Sequence, residues 1–370
     1  MRKGELEAHV LILVTLGLVA FGLVMVYSAT SAPAALGHGD PSSYLKRQAA
    51  YALVGVVLLA VMSRLDYRVL HRVAPTLITV SLVLCVAVLA VGDTVNGARR
   101  WLSLGPATFQ PAELAKLALA VWAAAYLSRR PPRTLRAVLR PLGVLVALFC
   151  GLLLLQPDLG TAVSIVVMLS AMLVVAGTPG RLLAAAAGIV CALGLLAIWI
   201  EPYRRERLLS FLNPWDDVQG SGFQTVQAMI GLGSGGVFGV GLGEGVQKIF
   251  YLPEAHTDMI LAVVGEELGL VGTAAVISAF ALFVHAALRI ALSSRDPFAK
   301  SLAAGLAALV GGQAAINLAA VLGLAPLTGI PLPFVSYGGS NLVIALASVG
   351  VLLNIARSGA RERASVRDRG

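Results

Sequence analysis

The segment YLPEAHTD (251–258) places Glu254, His256 and Asp258 within five residues of one another, directly before a long apolar run. Asp258 therefore has two readings: a general base in a partly desolvated cleft, or a cap on the helix that follows. Metal ligation by this trio is disfavoured, because zinc needs more ligands at suitable spacing and no HExxH or CxxC accompanies it. A second set, Glu113 and Lys116 in QPAELAK (110–116), lies on one face of a helix that Pro111 is suited to start. It is either a mutual ion pair that helps hold helices together or a positive charge offered to an anionic ligand. In GARRWLSLGP (97–106), Arg99, Arg100 and Trp101 are either interfacial anchors or a surface for phosphate and sugar. Asp158, in QPDLGT (156–161), is equally a helix cap or a ligand-binding group. GIPLPFVSYGGSN (329–341), which contains Ser336, breaks helix with its prolines and glycines and makes a shaped loop.

The elements that must hold these groups are set by composition. Of 370 residues, 58% are hydrophobic and only 13% charged, against about 25% charged in an ordinary soluble domain. With a mean hydropathy of +0.86, this predicts an all-α, polytopic membrane protein, since helices and closed barrels alone satisfy their backbone in lipid. Ten apolar windows are long enough to span: 10–30, 49–63, 74–92, 111–127, 141–156, 160–178, 182–200, 259–288, 300–323 and 336–356. The second is short and the eighth long, which predicts tilt or local breaks. The first resembles a signal peptide but is too long for one, and is read as a mature helix. Most of the 28 lysines and arginines fall in loops on one side, which predicts both termini in the cytoplasm. The same distribution explains the net charge of +9 without nucleic acid.

The chain reads as a single transmembrane domain, 1–370, with its longest extramembrane stretch at 201–258 on the outer side. GLGSGG (231–236) matches a dinucleotide fingerprint in form only, since no βαβ unit surrounds it; a flexible or re-entrant loop is expected instead. Cys85, Cys150 and Cys191 lie in apolar runs and read as small hydrophobes.

Taken together, GARRW, QPAELAK, QPDLGT, NPWDD (213–217), GVGLGEGVQKIFYLPEAHTD (239–258), GEELG (265–269) and GIPLPFVSYGGSN resemble the SEDS family of shape, elongation, division and sporulation proteins. The wording is nearer the division branch than the elongation branch. One departure is Asn341, where the family usually has a second serine. The resemblance implies a ten-helix fold and a peptidoglycan glycosyltransferase acting on lipid II outside the cytoplasmic membrane. Its implied partners are a class B penicillin-binding protein transpeptidase and other division membrane proteins. It assigns the essential aspartate to Asp258. It makes Trp101, Glu113, Lys116 and Asp158 cavity-lining groups, with Glu254, His256 and Ser336 as further substrate contacts. Arg100, Lys116 or Lys248 are candidates for offsetting the charge of a leaving diphosphate, as is a divalent cation, magnesium or manganese; no cofactor is otherwise implied. A lipid flippase, an elongation-type polymerase and a non-catalytic division scaffold are the competing readings.

Overall fold

Long apolar stretches without interior breakers form helices wherever the chain meets lipid. The computed structural model describes residues 4–35, 41–95, 97–105, 107–129, 132–249 and 252–367. Its helices are α1 (Glu5–Ala35), α2 (Pro41–Arg64), α3 (Arg68–Val91), α4 (Pro111–Arg129), α5 (Leu135–Val138), α6 (Val144–Leu155), α7 (Leu159–Val175), α8 (Gly180–Ile200), α9 (Pro202–Leu212), α10 (Phe223–Ser234), α11 (Ile260–Ser293), α12 (Pro297–Val321) and α13 (Gly339–Arg367). A π-helical turn at Leu139–Gly143 joins α5 to α6. Among the described residues, eight segments are long and apolar enough to cross a membrane: α1, α2, α3, α5 with α6, α8, α11, α12 and the first part of α13. α7 is a shorter apolar helix, and α4 carries Glu113 and Lys116 inside it. With these two, the elements coincide with the ten expected windows.

α12 is the axis of the bundle. It packs on α4, α7, α11 and α13, and its facing residues are mostly Ala, Gly and Leu. α4 buries Ala112, Ala115, Ala118, Ala120, Ala123 and Ala124, small side chains that let helices approach closely where lipid gives no hydrophobic drive. α1 lies against α11 and α2, with Leu11, Leu18, Met25 and Val26 buried. At the other extreme, α8 buries none of its residues.

Two features depart from the sequence reading, and a third bears out an expected break. A small antiparallel sheet, β1 (Asp93–Val95), β2 (Ala98–Leu104) and β3 (Ala107–Phe109), occupies the segment between α3 and α4, where no strand was expected. The glycine-rich stretch after residue 201 is not one loop, since α9 and α10 fold within it. The long eighth span breaks at Gly269, whose φ of 65° is open to glycine at no steric cost. There the amides of Leu270 and Val271 bond to the carbonyls of Gly236 and Val237, and the amides of Val240 and Gly241 to those of Glu266 and Glu267. The loop thus satisfies the main chain that the break would leave open.

Candidate functional site

A cavity of about 650 Å³ opens between β2, the starts of α4 and α7, α9, the turn before α11 and the 326–341 loop. Its lining includes Arg100, Trp101, Glu113, Asp158, Glu254, His256 and Asp258. These seven sequence-selected groups, drawn from four chain segments, therefore face one space.

Asp258 sits in a tight turn. The carbonyl of Glu254, whose φ of 57° is left-handed, accepts from the amides of Thr257 and Met259. The cap position of α11 falls on Met259, which makes no side-chain cap bond, so the Asp258 carboxylate is not used to end the helix. Its nearest side-chain donor is the Thr257 hydroxyl, 3.3 Å from Oδ1 and 2.9 Å from Glu254 Oε2. Burial, and then the negative charge of Glu254, push the Asp258 carboxyl up to about 6; its backbone amide, Arg207 and Thr257 pull the other way. A carboxylate in that range is deprotonated at neutral pH yet basic enough to take a proton.

His256 packs edge-on against Tyr44, with ring centroids 4.9 Å apart, and its carbonyl accepts from the amide of Tyr337 at 2.9 Å. Burial lowers the imidazole below its ordinary 6.5, so it is neutral at pH 7. Tyr44, Tyr51 and Tyr337 give this side of the cavity an aromatic wall.

In the same lining, Arg100 donates to the carbonyls of Gln156 (2.7 Å) and Pro157, and its guanidinium lies 6.0 Å from the centre of the Trp101 ring. Asp158 is the cap of α7: it accepts from the amide of Thr161 at 3.0 Å and from the Thr161 hydroxyl at 2.9 Å. Arg204 and Arg207 of α9 also line the cavity, each donating to main-chain carbonyls. The sequence reading passed over them, although arginines on the sparsely basic side were the signal that marked Arg100.

The remaining expected residues lie elsewhere. Lys116 is buried behind the cavity, 2.9 Å from Glu113 and 3.0 Å from Gln313 Oε1. Of its two readings the ion pair is present; Glu113 also accepts from Asn341 at 3.1 Å, so the unusual asparagine is part of this network. Lys248 does not line the cavity. It is clamped by Glu267 (2.7 Å), Ser28 (3.1 Å) and the carbonyl of Gly243 (2.6 Å). Ser336 is buried inside the 329–341 loop, where its hydroxyl accepts from the amide of Leu332. Among the described residues no group of three or more His, Cys, Asp or Glu is gathered to hold a metal ion.

Comparisons with known proteins cover nearly the whole chain. The family model for FtsW, RodA and SpoVE, described as "Cell cycle protein", matches residues 8–361. A Geobacter sp. (strain M18) protein named "Probable peptidoglycan glycosyltransferase FtsW" is 42% identical over 360 residues, covering 96% of this chain and 98% of that protein. A chain from a peptidoglycan synthase complex, described for the coordination of polymerization and crosslinking, superposes with a TM-score of 0.78 at 32% identity, covering 94% of this chain and 97% of the other. The rod shape determining protein RodA of Thermus thermophilus superposes with a TM-score of 0.68 at 30% identity, over 94% of this chain and 96% of RodA. The chain therefore belongs to the FtsW/RodA/SpoVE family of cell cycle proteins, which are polytopic membrane proteins.

Proposed function

We propose that the protein is a peptidoglycan glycosyltransferase that polymerises lipid II at the outer face of the cytoplasmic membrane, in the synthesis of the division septum. The observation that carries this reading is Asp258: a half-buried carboxylate in a cavity of about 650 Å³, raised to about 6 and free of any capping duty. That volume is within the range of about 300–1,000 Å³ usual for small-molecule sites. The relatives named as peptidoglycan glycosyltransferases support the same chemistry.

In this mechanism Asp258 takes the proton from the 4-hydroxyl of an N-acetylglucosamine. That oxygen forms a bond to the anomeric carbon of an N-acetylmuramic acid. The bond from that carbon to its phosphate oxygen breaks, and undecaprenyl diphosphate leaves with the electron pair. An α-phosphate becomes a β-glycan, so one inverting displacement suffices and no protein nucleophile is needed. Arg100, Arg204 and Arg207 supply positive charge toward the leaving diphosphate, and Tyr44, Tyr337 and Trp101 in the lining offer ring faces for sugars. Glu254 tunes Asp258 and positions substrate from its exposed side. Asp258 and Glu254 are the carboxylates that would hold a divalent cation here, which would supply charge against the leaving diphosphate.

The loop charges support an orientation with both termini inside and the cavity outside. The structural neighbour taken from a polymerizing and crosslinking complex supports a transpeptidase partner, read here as a class B penicillin-binding protein. The direct test is purified lipid II added to the reconstituted protein, alone and with its class B partner. Glycan strands, several-fold more abundant with the partner, are the expected result. Lipid movement between leaflets without strands would instead mark a flippase.

A further inference from the structure

α12 carries two buried amides one turn apart, Gln313 and Asn317, in a helix built mostly of Ala, Leu, Gly and Val. Gln313 accepts from Lys116 and donates to the carbonyl of Pro331 at 3.1 Å. Asn317 donates through Nδ2 to two carbonyls, Asp258 at 2.7 Å and Ile330 at 2.8 Å. A primary amide has two hydrogens on one nitrogen, and both are used. The opposite orientation would set Oδ1 against two carbonyl oxygens, so the chemistry fixes which way the side chain points.

We propose that Asn317 is a positioning residue for Asp258: by joining the Asp258 carbonyl to the Ile330 carbonyl, it sets where the carboxylate stands above the cavity floor. This rests on the reading of Asp258 as the base. Three observations support it. Ile330 and Pro331 line the same cavity as Asp258, so the two amides hold the floor and the base to one rigid helix. The floor runs beside the carboxylate, since a Cβ built on Gly329 would lie 3.9 Å from Asp258 Oδ2. The Oδ1 of Asn317 is buried with no hydrogen-bond partner among the described residues, a cost to stability that an apolar residue at this position would not carry. Asparagine is also a poor residue for a helix interior. The side chain is thus kept for what its two donors do. The charged groups that bear on the Asp258 carboxylate are Glu254 from its own turn and Arg207 from α9, and neither touches Asn317.

The test is a cycle of Asn317→Ser, Asp258→Asn and the double variant in the full chain with its class B partner. Strand synthesis from lipid II is followed against substrate concentration and pH. Serine keeps one donor and cannot bridge both carbonyls. Asn317→Ser should lower kcat by about 10–100-fold, the penalty of misplacing a reacting group by roughly 1 Å, with KM changed less than about threefold. The acid limb of its pH profile should move downward as the turn relaxes toward water. In the Asp258→Asn background the same substitution should change the residual rate by less than about twofold, because residues that act as a unit are not additive. Wild-type kcat and pH profile in Asn317→Ser would overturn the proposal, as would an equal loss in both backgrounds, which would mark a general structural role. Full turnover by Asp258→Asn would overturn the base reading itself, a separable outcome. If Asn317→Ser is not recovered folded, Asn317→His, which fills more of the space and keeps a donor, enters the same cycle under the same criteria.

Discussion

Lys248 Nζ and Glu267 Oε1 are 2.7 Å apart, with side chains 1% and 0% exposed. The Ser28 hydroxyl lies 2.7 Å from both oxygens of that carboxylate, so one ion pair ties α1, the glycine-rich loop and α11 together. Glu266, next to it, accepts from the amides of Val246 and Gln247. The two adjacent glutamates therefore hold the chain that leads into the Asp258 turn.

Removing one member of such a pair strands the other. Glu267→Ala should destabilise the protein by about 3–5 kcal/mol, because Lys248 would keep a desolvated charge without its partner. Replacing both, as Lys248→Met with Glu267→Leu, should recover a large part of that loss. Thermal unfolding of the three variants in detergent checks this. A double variant no more stable than Glu267→Ala would contradict it.

The rate of strand synthesis should rise between pH 5 and 7 with a midpoint near 6, because the base must be ionised and its carboxyl is raised to about 6. Burial lowers the His256 imidazole from its ordinary 6.5, so it is neutral at the top of this range. Glu254 raises the midpoint, so Glu254→Gln should lower it; Arg207 lowers it, so Arg207→Ala should raise it. Shifts in the opposite sense would mean that another group carries the limb.

Stability should show the same group with the sign reversed. A carboxyl raised in the folded state adds stability that is fully present below its ordinary value of 3.8 and is lost as pH rises through 6. Asp258→Asn removes that loss. It should be more stable than the native protein at pH 7.5, by about 1–3 kcal/mol at 1.36 kcal/mol per pH unit, and no more stable at pH 4. Unfolding midpoints at the two pH values decide it.

Sidedness can be read with single cysteines in a background lacking Cys85, Cys150 and Cys191. Ser221 and Thr134 are both exposed, so accessibility depends on the compartment and not on packing. A cysteine at Ser221 should react with a membrane-impermeant thiol reagent added outside sealed cells, and one at Thr134 should not. The reverse pattern would place the cavity in the cytoplasm.

Much of the bundle was legible because lipid imposes one local rule: an apolar stretch of spanning length is a helix. The sheet at 93–109 was not, since its strands of three and seven residues carry too little alternation to read. Asp258, Glu254 and His256 stood out because titratable groups beside an apolar run are rare. Lys248 was expected only as a basic group to offset the diphosphate, and its partner Glu267 comes from a helix that folds back onto the loop, a pairing no spacing rule gives. Asn317 was invisible for the opposite reason. A single neutral amide within an apolar helix carries no charge signal, and its meaning depends on carbonyls 59 and 13 residues away. Arg204 and Arg207 were readable, by the logic applied to Arg100.

The account turns on whether Asp258 takes a proton during catalysis, and Asp258→Asn tests this most directly. The amide keeps the size and hydrogen-bonding shape of the side chain but cannot act as a base. Strand synthesis from purified lipid II should fall by about 10²–10⁴-fold, the usual cost of losing a general base, while folding and partner binding stay intact. A folded Asp258→Asn protein that keeps more than about a tenth of native turnover would contradict the assignment.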